Sequence, residues 1–176
     1  MDGNMNAQTS GKREIIESLD REFARLHLNS CVAIERLSAD VLYALPPQPA
    51  AVATSPSSMQ SVGEGLLRSA AVVERTFGGI TANLWDDPFE WTLPEYLSTP
   101  ESIKAHLHEV EETRRRAFES FADDDCLLKQ IETPSGNPQT LVGLLLETLV
   151  RAVEFQSQAL VVLRMFSGIG THRFII

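Results

Sequence analysis

The chain has 176 residues, 43% of them hydrophobic, which suits a single globular domain with a sizeable core and rules out a disordered polymer. Its formal net charge of −9 argues against nucleic-acid binding, which calls for a basic stripe to neutralise phosphates. Two cysteines, Cys31 and Cys126, are too few and too far apart for a disulfide framework or a zinc knuckle.

Residues 1–13 are polar and read as a flexible terminus; they lack the continuous apolar core of a signal peptide. No apolar run approaches the roughly 20 residues of a membrane span, so the expectation is a cytoplasmic protein without a membrane partner. A first helix is predicted from about Ile15 to Leu45, with Ile15, Leu19, Phe23, Leu26, Ser30, Ala33, Leu37, Val41 and Ala44 on one stripe. Pro46 and Pro47 end it, and PPQPAAVATSPSS forms a crossover.

The second helix begins near Ser58 or Ser61 and carries Val62, Leu66, Ala70, Val73 and Phe77 on one face, with Gly78 and Gly79 ending or bending it. NLWDDPFEWTLPEYL then suits an irregular, aromatic-rich crossover. Thr99 as N-cap, Pro100 at the first helical position and Glu101 in the first turn announce a third helix. Its stripe is Ile103, Leu107, Val110, Arg114, Ala117 or Phe118, and Phe121. The acidic run Asp123–Asp125 marks its end and lacks the alternating ligands of a calcium loop, so it reads as a solvated charge run. TPSGNP is a loop, and Asn137-Pro138 opens a fourth helix running to Phe166 or Ser167, before Gly168. Four amphipathic segments without strand alternation predict an all-α four-helix bundle over 14–168, followed by a tail at 169–176.

Three pieces fall in a telling order: SVGEGLLR at the second helix, STPESI before the third, and EFQSQALVVLRMFSG at the end of the fourth. Together they resemble the DinB/YfiT-like superfamily of metal-binding four-helix bundles over roughly residues 15–168. The resemblance implies a divalent metal held by three histidines, one from the second helix and two from the fourth. The matching positions here are Arg68, Arg151 and Phe155. A guanidinium has no free lone pair and a phenyl ring no donor atom, so the expectation is a bundle whose metal triad is lost, with no cofactor. The metal-dependent thiol transfer or hydrolysis that the family implies loses its basis accordingly.

Other residues are weighed on their own chemistry. His106 and His108 lie two apart on a helix and diverge by about 200°, so they cannot share one ion. His172 lies in the tail, and His27 sits at the edge of its stripe. Arg114 is mid-stripe in the third helix, as Gln156 is in the fourth and Ser30 in the first. Arg114 either snorkels to the bundle edge or joins Gln156, Ser30 and His27 in a polar pocket that prefers a small acidic ligand. In the fourth helix only Glu147, Arg151, Glu154 and Gln158 form a polar strip. Arg151 and Glu154 are either surface ion-pair partners or fillers of the old metal cavity. Periodicity places Arg68 off the apolar face, towards solvent.

The apolar arc of that helix is wider than one groove needs. It predicts a homodimer with some of Leu146, Val150, Val153, Leu160 and Val161 at or near the interface. The functional expectation is a non-catalytic binding or assembly protein. The alternative is a DinB-like transferase or hydrolase of thiol-dependent type that retains a pocket and uses non-histidine residues.

Overall fold

The computed structural model describes residues 12–45, 60–88, 96–134 and 136–167. The Pro-rich connector at 46–58, residues 89–95 of the aromatic crossover, most of the polar terminus and the tail with His172 lie outside them. Among the described residues there are four long helices: α1 (Glu14–Ile34), α3 (Val62–Ala82), α4 (Pro100–Ser120) and α5 (Leu141–Ser167). A single-turn α2 (Ala39–Leu42) follows α1, and none of these helices is long and apolar enough to cross a membrane.

The first helix is shorter than its apolar stripe. It ends at Ile34 rather than Leu45, because Arg36 and Leu37 donate to carbonyls only three residues back and tighten the chain into a turn. Leu37 and Leu42 nevertheless stay buried, so the stripe continues across the break. At its start Ile16 enters the core and Ile15 is 52% exposed. The Asp124 carboxylate accepts from the backbone N–H groups of Ile15 and Ile16 at 3.1 and 3.0 Å, capping α1 from another part of the chain. One member of the acidic run is thus a cap and not merely solvated. In return the Arg13 guanidinium donates to the Phe118 and Phe121 carbonyls at the C-terminal end of α4.

Ser61 caps α3 in a capping box with Glu64, and Thr99 with Ser102 does the same for α4. Gly78 and Gly79 do not stop α3, which runs on to Ala82. At Gly79 the missing side chain seats an aromatic ring: a Cβ there would lie 2.3 Å from the Trp85 indole. Asn83, left-handed at φ 54°, turns the chain so that Trp85 folds back onto that seat. After α4 come a 3-10 helix (Asp124–Leu128) and two short strands, β1 (Gln130–Ile131) and β2 (Gln139–Thr140), paired antiparallel. This bridge places the start of α5 at Leu141, later than Asn137-Pro138 suggests, with the Thr140 hydroxyl accepting from Gly143 N–H at 3.2 Å.

The result is an all-α four-helix bundle. Phe23, Phe77 and Phe118 meet at its centre from α1, α3 and α4, with ring centroids 5.3 to 5.8 Å apart. α3 lies close against α5, where a Cβ added to Gly65 would fall 2.8 Å from that of Ala159. Leu144 and Val162, on one flank of α5, are buried. On the other flank Leu146, Val150, Val153 and Val161 are 43 to 66% exposed, and Leu160 is half-buried.

Candidate functional site

Small residues let α3 and α5 pack closely, and short hydroxyls then bridge them. Ser69 donates to the Ala152 carbonyl at 2.8 Å. Thr148 donates to its own helix at Leu144, so Thr76 supplies the proton of the 2.7 Å bond between the two threonines. Beside this seam opens a cleft of about 300 Å³. Its floor includes Thr76, Thr148, Leu144 and Phe155; Trp85 and Asp87 form one rim, and Thr133 with Gln139 another. Arg68, Arg75 and Arg151 reach it against the carboxylates of Asp87 and Glu147, an excess of cationic groups. Arg75 is held in place by donating Nε to the Trp85 carbonyl at 2.8 Å. The Arg151 guanidinium lies 3.9 Å from Glu147 and is more than half exposed. Arg68 is half-buried and lines the cleft, so periodicity alone misplaces it. Glu154, one turn from Arg151, is exposed.

A second polar locus lies between α1 and α4. Arg114 is 2% exposed and does not snorkel. Its Nε and Nη2 donate to the two oxygens of Glu111 at 2.8 and 2.7 Å, its Nη1 donates to the Asp20 carboxylate, and it stacks 5.3 Å above the Phe118 ring. Burial works against the charge, yet the bonds to Glu111 and Asp20 outweigh it and raise the guanidinium pKa above its ordinary value. Gln156 donates to the Leu26 carbonyl and to Ser30 Oγ, both at 2.7 Å. His27, Ser30, Glu111 and Arg114 border a cavity of about 30 Å³, room for a water or two rather than for a metabolite. The fork of Arg114 is filled from within the chain.

Beside that cavity stand Cys31 and His108, both set aside on sequence spacing alone. Cys31 Sγ lies 3.5 Å from His27 Nε2, and the His108 ring is centred 5.0 Å from that of His27. Burial lowers the pKa of His27, against the pull of Glu111, and raises that of the Cys31 thiol, against Lys104. The missed signal was His27 and Cys31 four apart on one helix face. His108 could not be found from sequence, because its partner lies on another helix.

Neither a protein-family model nor a curated protein matches the chain. Solved structures do. A conserved protein from Enterococcus faecalis superposes with a TM-score of 0.64 at 14% identity, over 88% of this chain and 98% of its own. A protein from Exiguobacterium sibiricum 255-15, described as a proposed member of the DinB family, does so with a TM-score of 0.64 at 19% identity, over 94% of this chain and 100% of its own. The fold is DinB-like.

In this DinB-like bundle the three positions that the resemblance assigns to metal ligands, Arg68, Arg151 and Phe155, line one and the same cleft. Their side chains do not fit a metal. Two are guanidinium cations without a lone pair and one is a hydrocarbon ring, and the cleft's two carboxylates are outnumbered by its arginines. The cleft is lined by three arginines and two carboxylates.

Proposed function

We propose that the protein is a DinB-like binding module that takes a small anionic molecule in the cleft between α3 and α5 and does so without the family's metal centre. The observation that carries this reading is the convergence of Arg68, Arg75 and Arg151 on one cleft of about 300 Å³. That volume lies at the lower end of the range for small-molecule sites. Guanidinium groups offer forked donors suited to carboxylate or phosphate, and the Gln139 amide adds a neutral one. Trp85 and Phe155 supply apolar walls for the body of the ligand. The acidic ligand is thus assigned to this cleft rather than to Arg114, whose donors already meet two carboxylates. The exposed apolar flank of α5 supports a two-fold homodimer as the assembled form.

The test is calorimetric titration with a panel of small carboxylates and phosphate esters. At least one is expected to bind, at least about tenfold more weakly to Arg151→Ala and equally well to Arg115→Ala, which removes an exposed α4 cation. Binding should also weaken with added salt. A panel without a binder, or binding indifferent to Arg75→Ala and Arg151→Ala, overturns the reading.

A further inference from the structure

We propose that His27, Cys31 and His108 form a three-ligand site for a divalent ion of zinc's class, bridging α1 and α4, with the fourth position open to solvent. The donor atoms of these three side chains all lie within 4.8 Å of one another. Two ligands one helical turn apart share a face of α1, and the third comes from the helix packed against it. The Sγ–Nε2 separation of 3.5 Å is already that of a tetrahedral zinc site, where bonds of about 2.3 and 2.0 Å set sulfur and nitrogen about 3.5 Å apart.

The burial pattern is graded in a useful way. Cys31 is buried and His27 half-buried, so packing fixes both, whereas His108 is exposed. The exposed His108 ring is the ligand with room to adjust its side-chain torsions towards the other two. Solvent reaches the ion from that side, leaving water as fourth ligand, the arrangement of open rather than structural zinc sites.

The donor set selects the metal. One thiolate and two imidazoles favour zinc and its neighbours over magnesium or calcium, which seek oxygen. Binding forms three metal–ligand bonds and releases the Cys31 thiol proton to solvent; both imidazoles bind through neutral nitrogen, and no electron is transferred. Around the site the carboxylates of Glu35 and Glu111 are paired with the cations of Lys104 and Arg114, so binding rests on the three donor atoms. This site lies between α1 and α4, whereas the arginine cleft lies between α3 and α5, so neither proposal depends on the other.

Cobalt(II) serves as the probe, added to the full chain after chelator treatment. One equivalent is expected to give a thiolate-to-cobalt charge-transfer band with tetrahedral d–d absorption, displaced by one equivalent of zinc. Cys31→Ser should abolish the charge-transfer band, and Cys126→Ala should keep it. His108→Ala, an exposed substitution that leaves the core intact, should weaken zinc binding by roughly 100-fold and remove the rise in Tm that zinc gives the wild-type protein. No charge-transfer band in the wild-type protein, or a band and zinc affinity unchanged in Cys31→Ser and His108→Ala, overturns the proposal.

Discussion

Arg114 shows how a buried charge is made tolerable. Its guanidinium meets Glu111 on its own helix and Asp20 on α1, so the cost of desolvation is offset inside the chain. Asp20 keeps a 42% exposed side chain, so loss of the arginine leaves that carboxylate able to rehydrate. We expect Arg114→Leu to destabilise by about 1–3 kcal/mol, below the usual cost of stranding a fully buried partner, as read by urea unfolding. A stabilised variant would mean that packing alone suffices there. Glu74, 3.6 Å from His106 across α3 and α4, behaves differently. Burial holds its carboxyl above the ordinary carboxylate range, opposed by His106 and helped by Glu109. The folded state therefore binds that proton more tightly than the unfolded chain. This contribution to stability is full below the unfolded value of 4.5 and is lost as pH rises through the folded one. Glu74→Gln should raise Tm by about 1–3 °C at neutral pH, with the gain vanishing in acid. A Tm lowered equally at both pH values would instead show a net stabilising ion pair.

The helices depend on devices of unequal visibility. Ser61, Thr99 and Pro100 are local signals, and the starts of α3 and α4 fall where they predict. The cap of α1 is not local. It comes from Asp124, 108 residues beyond Ile16, and no window of sequence connects the two. Asp124→Ala is expected to cost about 1 kcal/mol and to fray the first turn of α1, measurable as faster amide exchange at Ile15 and Ile16. Unchanged exchange there would remove Asp124 from that role. Gly78 and Gly79 illustrate the opposite failure: read alone they signal a helix end, yet Gly79 makes room for Trp85. At Gly65, where α3 lies against Ala159 and the Phe155 carbonyl, even alanine must push the helices apart. Gly65→Ala should cost about 1–3 kcal/mol by overpacking and reshape the cleft, since Phe155 lines it. A neutral effect on urea unfolding would mean that the α3–α5 seam yields at no cost.

For the molecule as a whole, fold and chemistry were not equally legible. Apolar periodicity and helix caps are properties of consecutive residues, so the bundle follows from them. A cleft gathered from α3, α5 and the segments around Trp85 and Thr133 depends on tertiary placement, which periodicity misjudged at Arg68. The exposed flank of α5 was readable, because an arc broader than one groove must face something. If it joins two copies, light scattering at micromolar concentration gives a dimer, and Val150→Glu, at the most exposed valine of that flank, gives a monomer of unchanged helicity. A wild-type monomer would leave the flank to another role. That the cleft lined by Arg68, Arg75 and Arg151 takes a small anion is the proposal on which the rest turns, and a crystal structure grown with a small dicarboxylate tests it most directly. The account predicts a carboxylate of that ligand held by Arg151 together with Arg68 or Arg75, between Trp85 and Phe155. A transition metal bound in that cleft, or the dicarboxylate seated on Arg114 with the cleft left to water, would contradict it.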